Sequence, residues 1–297
     1  MTTAPDILCI GSVLWDIIGR APSHMREGSD VPGRITRLPG GVAMNIAMTL
    51  AKFGLTPALL SAVGRDAEGC ELVTEAEHMG LMTEYLYRSA DLPTDSYMAI
   101  EGANGLIAAI ADAHSLEQAG TKILAPMSDG TLGSAEAPWD SLVALDGNLT
   151  RDLLYDIANS PLFRAADLRV APASPGKAER LLALVGHPSA TLYVNLEEAG
   201  LLCQTSFDTA PDAARGLTKR GVHRVLVTDG GSLAAESHGD TLRTAQPPEV
   251  LVTRVTGAGD TFMAAHIASE LQGMAPQAAL ERALNAAATY VSGKTPL

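Results

Sequence analysis

The sequence predicts an α/β protein with a mostly parallel central sheet, helices on both of its faces, and a small second sheet that could serve as a lid. Three observations carry that expectation. Short apolar runs alternate with helix-patterned stretches along most of the chain, as in strands joined by crossover helices. Two β-patterned stretches, 96–101 and 106–110, flank Gly102, Ala103, Asn104 and Gly105 and so read as a hairpin, which has no place in such a series. The composition is that of a packed chain: 297 residues, 46% hydrophobic and 19% charged. A chain of that size buries about three quarters of its unfolded surface and needs no staples.

Each element follows from local pattern. Residues 7–10 are an apolar run closed by Gly11, suited to a buried first strand. Residues 42–53 predict a helix, because Ala43, Ile46, Leu50 and Phe53 recur at three- and four-residue steps before Gly54. Residues 58–63 read as a strand, and 67–79 as a helix stopped by Gly80. Further strands are expected at 142–145, 168–170, 192–194 and 224–228, and a short one at 34–38 before Pro39-Gly40-Gly41. Residues 128–138, rich in Gly, Ser and Pro, read as a loop. No internal repeat interrupts this, and the expected organisation is one domain over 1–297, with lid segments near 14–40 and 84–113.

Lys and Arg total 21 against 34 Asp and Glu, a formal net charge of −13. Such a balance disfavours nucleic acid as a partner, and any anionic ligand has to be met by local groups. The three cysteines, Cys9, Cys70 and Cys203, form neither a disulfide framework nor a metal-ligand spacing and fit a reducing compartment. No apolar stretch is long enough to span a membrane, and Asp6 with no basic flank is unlike a secretory leader, so the expected location is the cytoplasm.

Four clusters are candidates for chemistry. In Thr256-Gly257-Ala258-Gly259-Asp260 the glycines permit close backbone approach. The helix pattern that follows would aim free N–H groups at an anion. Asp260, in its first turn, could take a proton from a hydroxyl; the plainer reading is an ordinary acidic first-turn residue. Gly40-Gly41 opens the 42–53 helix, with Asn45 one turn in, able to donate to and accept from hydroxyls or simply face solvent. Asp16, after the first strand, could grip a diol or be a solvated loop acid. Asn195 and Glu198 either offer oxygens for Mg²⁺ or form a helix capping box. Val227-Thr228-Asp229-Gly230-Gly231 is either a phosphate-edge loop or a strand-to-strand turn.

Taken in order, these clusters resemble the ribokinase-like (PfkB) sugar and nucleoside kinases. The likeness extends over nearly the whole chain, through Gly40-Gly41 with Asn45, Ala62-Val63-Gly64-Arg65-Asp66 with Gly69, Asn195 to Glu198, Thr228 to Gly230, Gly257 to Asp260, and Asn285-Ala286-Ala287-Ala288. The resemblance implies the ribokinase-like three-layer fold, with the hairpin as the substrate lid. It implies that Asp260 is the catalytic base and that the amides of Gly257, Ala258 and Gly259 form an anion hole. Asp16, Gly40, Gly41 and Asn45 then match sugar-holding positions, Thr228, Gly230 and Asn285 nucleotide contacts, and Asn195 and Glu198 the organisers of Mg²⁺, with ATP as donor. Within the family, Pro32-Gly33-Arg34-Ile35, Pro39-Gly40-Gly41-Val42, Asn45-Ile46-Ala47, Thr94-Asp95-Ser96-Tyr97, Ala109-Ile110-Ala111-Asp112 and Asp146-Gly147-Asn148 are most similar to the pseudouridine kinases. On that likeness Ser96 and Asp112 are expected to read a donor of the base, with a solvent-facing Asp112 as the alternative.

The chain also departs from the family. Arg254 stands where potassium-dependent members carry a residue of their monovalent-cation loop, so a monovalent cation is left open. Leu233 and Ala171-Pro172 replace a Gly and an Asp-Pro that many relatives have, and Lys177 nearby reads as a surface lysine or a phosphate contact. Two other readings stand beside pseudouridine phosphorylation: a kinase for another nucleoside or furanose sugar, and a non-catalytic nucleoside-binding relative. A dinucleotide enzyme is disfavoured, since Ser-Val-Leu-Trp-Asp after Gly11 gives no pyrophosphate turn. A homodimer through the lid edge is the expected assembly.

Overall fold

The computed structural model describes residues 4–294. Strand β1 (Ile7–Ile10) is followed by β2 (Leu14–Arg20), β3 (Arg34–Gly40), helix α1 (Val42–Lys52), β4 (Pro57–Leu60), β5 (Ala62–Gly64) and α2 (Ala67–His78). Then come β6 (Tyr87–Ser89), β7 (Ser96–Gly102), β8 (Gly105–Asp112), and the short helices α3 (His114–Ala119) and α4 (Ala125–Ser128). The second half runs β9 (Leu142–Asp146), α5 (Arg151–Asn159), β10 (Asp167–Ala171), β11 (Thr191–Asn195), α6 (Leu196–Cys203), α7 (Ala210–Lys219) and β12 (Arg224–Thr228). It closes with β13 (Ala234–His238), β14 (Thr241–Ala245), α8 (Ala258–Leu271) and α9 (Pro276–Val291).

The large sheet has eight strands in the order β14-β13-β12-β11-β10-β9-β1-β4, parallel from β12 to β4 and antiparallel at the β13–β14 edge. Both faces are covered, and β1 shows why its sequence is a continuous apolar run. Leu8 and Ile10 enter a core layer shared with α5, α6 and α7, while Ile7 and Cys9 enter a second layer shared with α1, α8 and α9. Residues 58–63 are two strands rather than one: β4 ends at Leu60, and after Ser61 the chain leaves the large sheet to pair with β6. Residues 234–245 carry no strand expectation because their short runs hold Ala, Ser, Glu and Arg, with only Thr241 and Thr244 β-branched and no Val, Ile, Phe, Tyr or Trp among them. Pairing with β12 makes them strands.

The lid is a four-stranded sheet in the order β3-β2-β7-β8, with the expected hairpin β7–β8 paired through β2 to β3. It stands beside the ends of β1 and α1, to which β2 and β3 are joined directly. Among the described residues no helix is long and apolar enough to cross a membrane.

Candidate active site

The carboxyl ends of the parallel strands form one edge of the large sheet, the place where open α/β sheets bind ligands. Asp146 ends β9, Asn195 ends β11 and Thr228 ends β12, the last two directly paired in register. Helices α1 and α8 bring their first turns to this edge.

Asp260 lies in the first turn of α8, buried, and its Oδ2 accepts a hydrogen bond from Asn45 Nδ2 at 2.9 Å. Residues 215 positions apart thus meet, as two helix N-termini converge. Gly257 caps α8 with φ 88°, a left-handed conformation, and a Cβ there would lie 2.6 Å from the Tyr290 hydroxyl. The amides around it divide unequally. Ala258 N–H donates to Val255 O at 3.0 Å, so it is spent within the loop, contrary to the expectation that it belongs to the anion hole. The N–H groups of Gly257, Gly259 and Asp260 have no partner among the described residues. The amides left free to meet an anion at the positive end of the helix are therefore those three.

Gly40 and Gly41 are required by contact. A Cβ on Gly40 would overlap the Asp16 carboxylate, and one on Gly41, at φ 95°, would come within 2.5 Å of Ser12 O. Asp16 sits on β2 at the base of the lid, and burial pushes its carboxyl up to about 6. Burial likewise pushes Asp260 up to about 7; the Asn45 bond opposes this, and the charges of Asp146, Asp16 and Glu198 add to it. Glu198 is also pushed up to about 7, chiefly by burial. Asp16, Asp146, Glu198 and Asp260 thus crowd one edge, and burial with mutual repulsion raises Asp260, which suits a general base working near neutral pH.

Asn195 and Glu198 form the capping box in full: Asn195 Oδ1 accepts from Glu198 N–H and Glu198 Oε2 from Asn195 N–H, both at 2.8 Å. One oxygen of each is thereby engaged, which leaves the second Glu198 oxygen for a cation. Among the described residues no three His, Cys, Asp or Glu are grouped to hold a metal. Thr228 and Gly230 lie at the turn from β12 to β13, so the plain strand-to-strand reading holds for the backbone. Asn285 is exposed on α9 and donates its Nδ2 to Glu281 O of its own helix.

Register separates two lid residues from the rest. Asp16 is paired with Leu38 and Tyr97, and through Tyr97 with Ala111; on the alternate positions Trp15 is paired with Ser96, and through Ser96 with Asp112. Because successive strand residues point to opposite faces, Ser96 and Asp112 lie on the face away from Asp16. Asp112 is exposed and bonded to His114 Nδ1 at 2.7 Å. The expectation that this pair reads the substrate is corrected: Tyr97 and Ala111 share the face of Asp16.

Sequence reasoning assigned no role to several residues that build the site. Asp146 is fully buried; its Oδ2 accepts from Ser12 N–H at 2.7 Å and from Ser12 Oγ, and its Oδ1 from Asn148 N–H at 2.6 Å. Ser12 Oγ in turn accepts from Val42 N–H at 2.9 Å, tying the end of β9 to the first turn of α1. The signal was Asp146-Gly147-Asn148 at the end of an expected strand. Lys177 is half-buried, and its Nζ donates to Asn148 Oδ1 at 2.6 Å, so it is no free surface lysine. Two cavities lie away from the Asp260–Asn45 pair. One of ≈ 420 Å³ lies at the amino ends of β9 and β10; one of ≈ 580 Å³ lies beside α6 and reaches Asp229.

The sequence model of the pfkB family carbohydrate kinases matches residues 4–296. The chain is 27% identical over 278 residues to the pseudouridine kinase of Escherichia coli K12, covering 90% of this chain and 84% of that protein. It is 25% identical over 307 residues to the guanosine-inosine kinase of Exiguobacterium acetylicum, covering 96% and 94%. The Arabidopsis thaliana ribokinase, solved with ribose and ATP, superposes with a TM-score of 0.71 at 21% identity, covering 97% of this chain and 93% of that one.

Proposed function

Because the chain belongs to the pfkB family of carbohydrate kinases, phosphotransferases that use ATP and act on hydroxyl groups, we propose that it phosphorylates the 5′-hydroxyl of pseudouridine. The observation that carries the catalytic part is the Asp260–Asn45 pair beneath the unpartnered amides of Gly257, Gly259 and Asp260. In this reading the acceptor hydroxyl donates its proton to the Asp260 carboxylate as its oxygen attacks the γ-phosphorus, whose bond to the β,γ-bridging oxygen breaks so that ADP leaves. The amides stabilise charge on the transferred phosphoryl oxygens. Asp16, Gly40, Gly41 and the free Oδ1 of Asn45 hold the ribose hydroxyls, and Thr228, Gly230 and Asn285 face the nucleotide. Glu198, with Asn195, would hold Mg²⁺ through water, and the ion would offset phosphate charge. The buried, upshifted Glu198 carboxyl beside Asp260 fits such a cation.

Pseudouridine as acceptor rests on the stretches around Pro39-Gly40-Gly41, Asn45 and Asp146-Gly147-Asn148 and on the Escherichia coli relative. The similarity to a guanosine-inosine kinase over almost the full length supports a second reading, a kinase for another nucleoside. Steady-state rates with Mg-ATP across pseudouridine, uridine, guanosine, inosine, adenosine and ribose decide between them. The first reading requires the highest kcat/KM for pseudouridine and fails if any other acceptor exceeds it. Nucleoside binding by calorimetry with no ADP formed would instead mark a non-catalytic binder. We read residues 1–297 as one kinase unit whose lid segments fall within 14–40 and 84–113. Three free cysteines support a reducing, cytoplasmic setting, and the open apolar face of the lid supports a homodimer.

A further inference from the structure

The segment between β14 and α8 passes the carboxyl end of α9, where backbone carbonyls have no helical partner and the helix dipole is negative. Four carbonyl oxygens there, of Thr256, Tyr290, Val291 and Lys294, each accept at least one hydrogen bond from this chain. Arg254 Nε donates to Tyr290 O at 2.8 Å and Arg254 Nη2 to Lys294 O at 3.2 Å. Val291 O accepts from the N–H groups of Thr253 and Arg254, at 2.8 and 3.2 Å, and from Thr253 Oγ1 at 3.1 Å. Tyr290 Oη donates to Thr256 O at 2.9 Å. The Arg254 guanidinium also lies 3.8 Å from the centre of the Tyr290 ring.

The monovalent cation implied by the family's potassium-dependent members does not fit this arrangement. A carbonyl cage needs lone pairs converging on one open centre, and here the Arg254 guanidinium takes lone pairs of Tyr290 O and Lys294 O itself; a fixed guanidinium at that place repels a second cation. We infer that Arg254 is a built-in cation of this loop, standing in for a monovalent metal ion, and that the enzyme works without one. Arg254 is a positioning residue. It grips Tyr290, Tyr290 grips Thr256 and packs against Gly257, and Gly257 begins the amide cradle that ends at Asp260. The inference rests on the family's kinase activity and not on the choice of nucleoside.

The experiment compares wild type in chloride salts of potassium, sodium and tetramethylammonium at equal ionic strength, using whichever acceptor turns over best. Expected is the same kcat in all three and the same midpoint of thermal unfolding. A potassium-specific rise in either overturns the inference, and the unfolding midpoint reads it even if no acceptor is turned over, so it fails separately from the functional reading. In Arg254→Ser, kcat should fall by about a hundredfold through misplacement of the cradle, and guanidinium ion or potassium should restore much of it. A loss that neither ion restores overturns the stand-in role. Should Arg254→Ser not fold, Arg254→Lys keeps the charge without the fork. It should retain more activity than Arg254→Met, and equal activity of those two overturns the inference.

Discussion

At the scale of single residues, Asp260 joins reactivity to a stability cost. Its carboxyl ordinarily titrates at 3.8 and here at about 7, and it must be ionised to accept a proton. The value of kcat/KM should therefore rise with pH up to about 7 and level off above, which a pH–rate profile of the free enzyme reads directly. The sign for stability is opposite to that of a salt-bridged acid. Between those two pH values the unfolded chain ionises first, so the buried carboxylate destabilises the fold increasingly as pH rises, and constantly above. Asp260→Asn should consequently lose about a thousandfold or more in turnover. It should gain roughly 1–3 kcal/mol in urea unfolding at pH 8, with no gain at pH 4. A variant that keeps its turnover would remove Asp260 from its role. Gly40→Ala would press a methyl group into the Asp16 carboxylate. It should raise the acceptor KM by about tenfold or more while KM for ATP holds. Asp260, Gly257 and Asn45 were legible in the sequence because glycine runs before helix patterns are local signals. Asp146 and Ser12 were not, because their partners lie 134 residues apart, and Ala258 was misread because its bond to Val255 depends on how the loop turns.

At the scale of elements, α8 is held at both ends. Its first turn carries Asp260, and its last turn carries Glu270, which accepts from Arg169 Nη1 at 2.6 Å and Arg224 Nη2 at 2.7 Å. Arg169 also pairs with Asp167, and Arg224 with the buried Glu236. These residues pin the far end of α8 to β10, β12 and β13. Burial raises the Glu270 carboxyl, but hydrogen bonding from Arg224 and the charge of Arg169 outweigh it and bring it down to about 2. Its contribution is thus full above its ordinary 4.5 and lost as pH falls toward 2. Glu270→Ala leaves two nearly buried guanidinium groups short of a partner and should cost roughly 3–5 kcal/mol in denaturant unfolding at neutral pH. A loss below about 1 kcal/mol would mean the pairs act as surface pairs do. None of this network was legible, since Arg169, Glu236 and Glu270 look like solvated charges in the sequence. Only parallel pairing of β10 to β12, with α8 across them, brings them together. The helices α1 and α2 were legible to within a residue, because their apolar positions repeat locally and a glycine follows each.

At the scale of the whole molecule, the lid leaves an unpartnered apolar face. Ile35, Met98, Ile100 and Ile110 share the face opposite Asp16 and are 80%, 46%, 40% and 69% exposed. Strands β3 and β8 are free edges of that sheet. A second copy laid against this face would bury apolar surface and cover an edge at once. Light scattering at micromolar concentration should give a dimer for the wild type and a monomer for Ile35→Lys with Ile110→Lys; a monomeric wild type would refute the homodimer. The net charge of −13 fits a site where phosphate meets helix-end amides rather than a basic surface.

By itself the sequence determined the parallel α/β class, the hairpin that became the lid, and the residues of the glycine-marked helix starts. All of these are written in spacings of a few residues, within which backbone and burial preferences act. The tertiary structure alone decided which face of the lid meets Asp16, which amides stay free at α8, and how four carboxyl groups come to share one sheet edge. It also decided that Arg254 fills the carbonyl end of α9. Register, burial and electrostatic coupling arise only once distant strands are paired, and no local pattern encodes them.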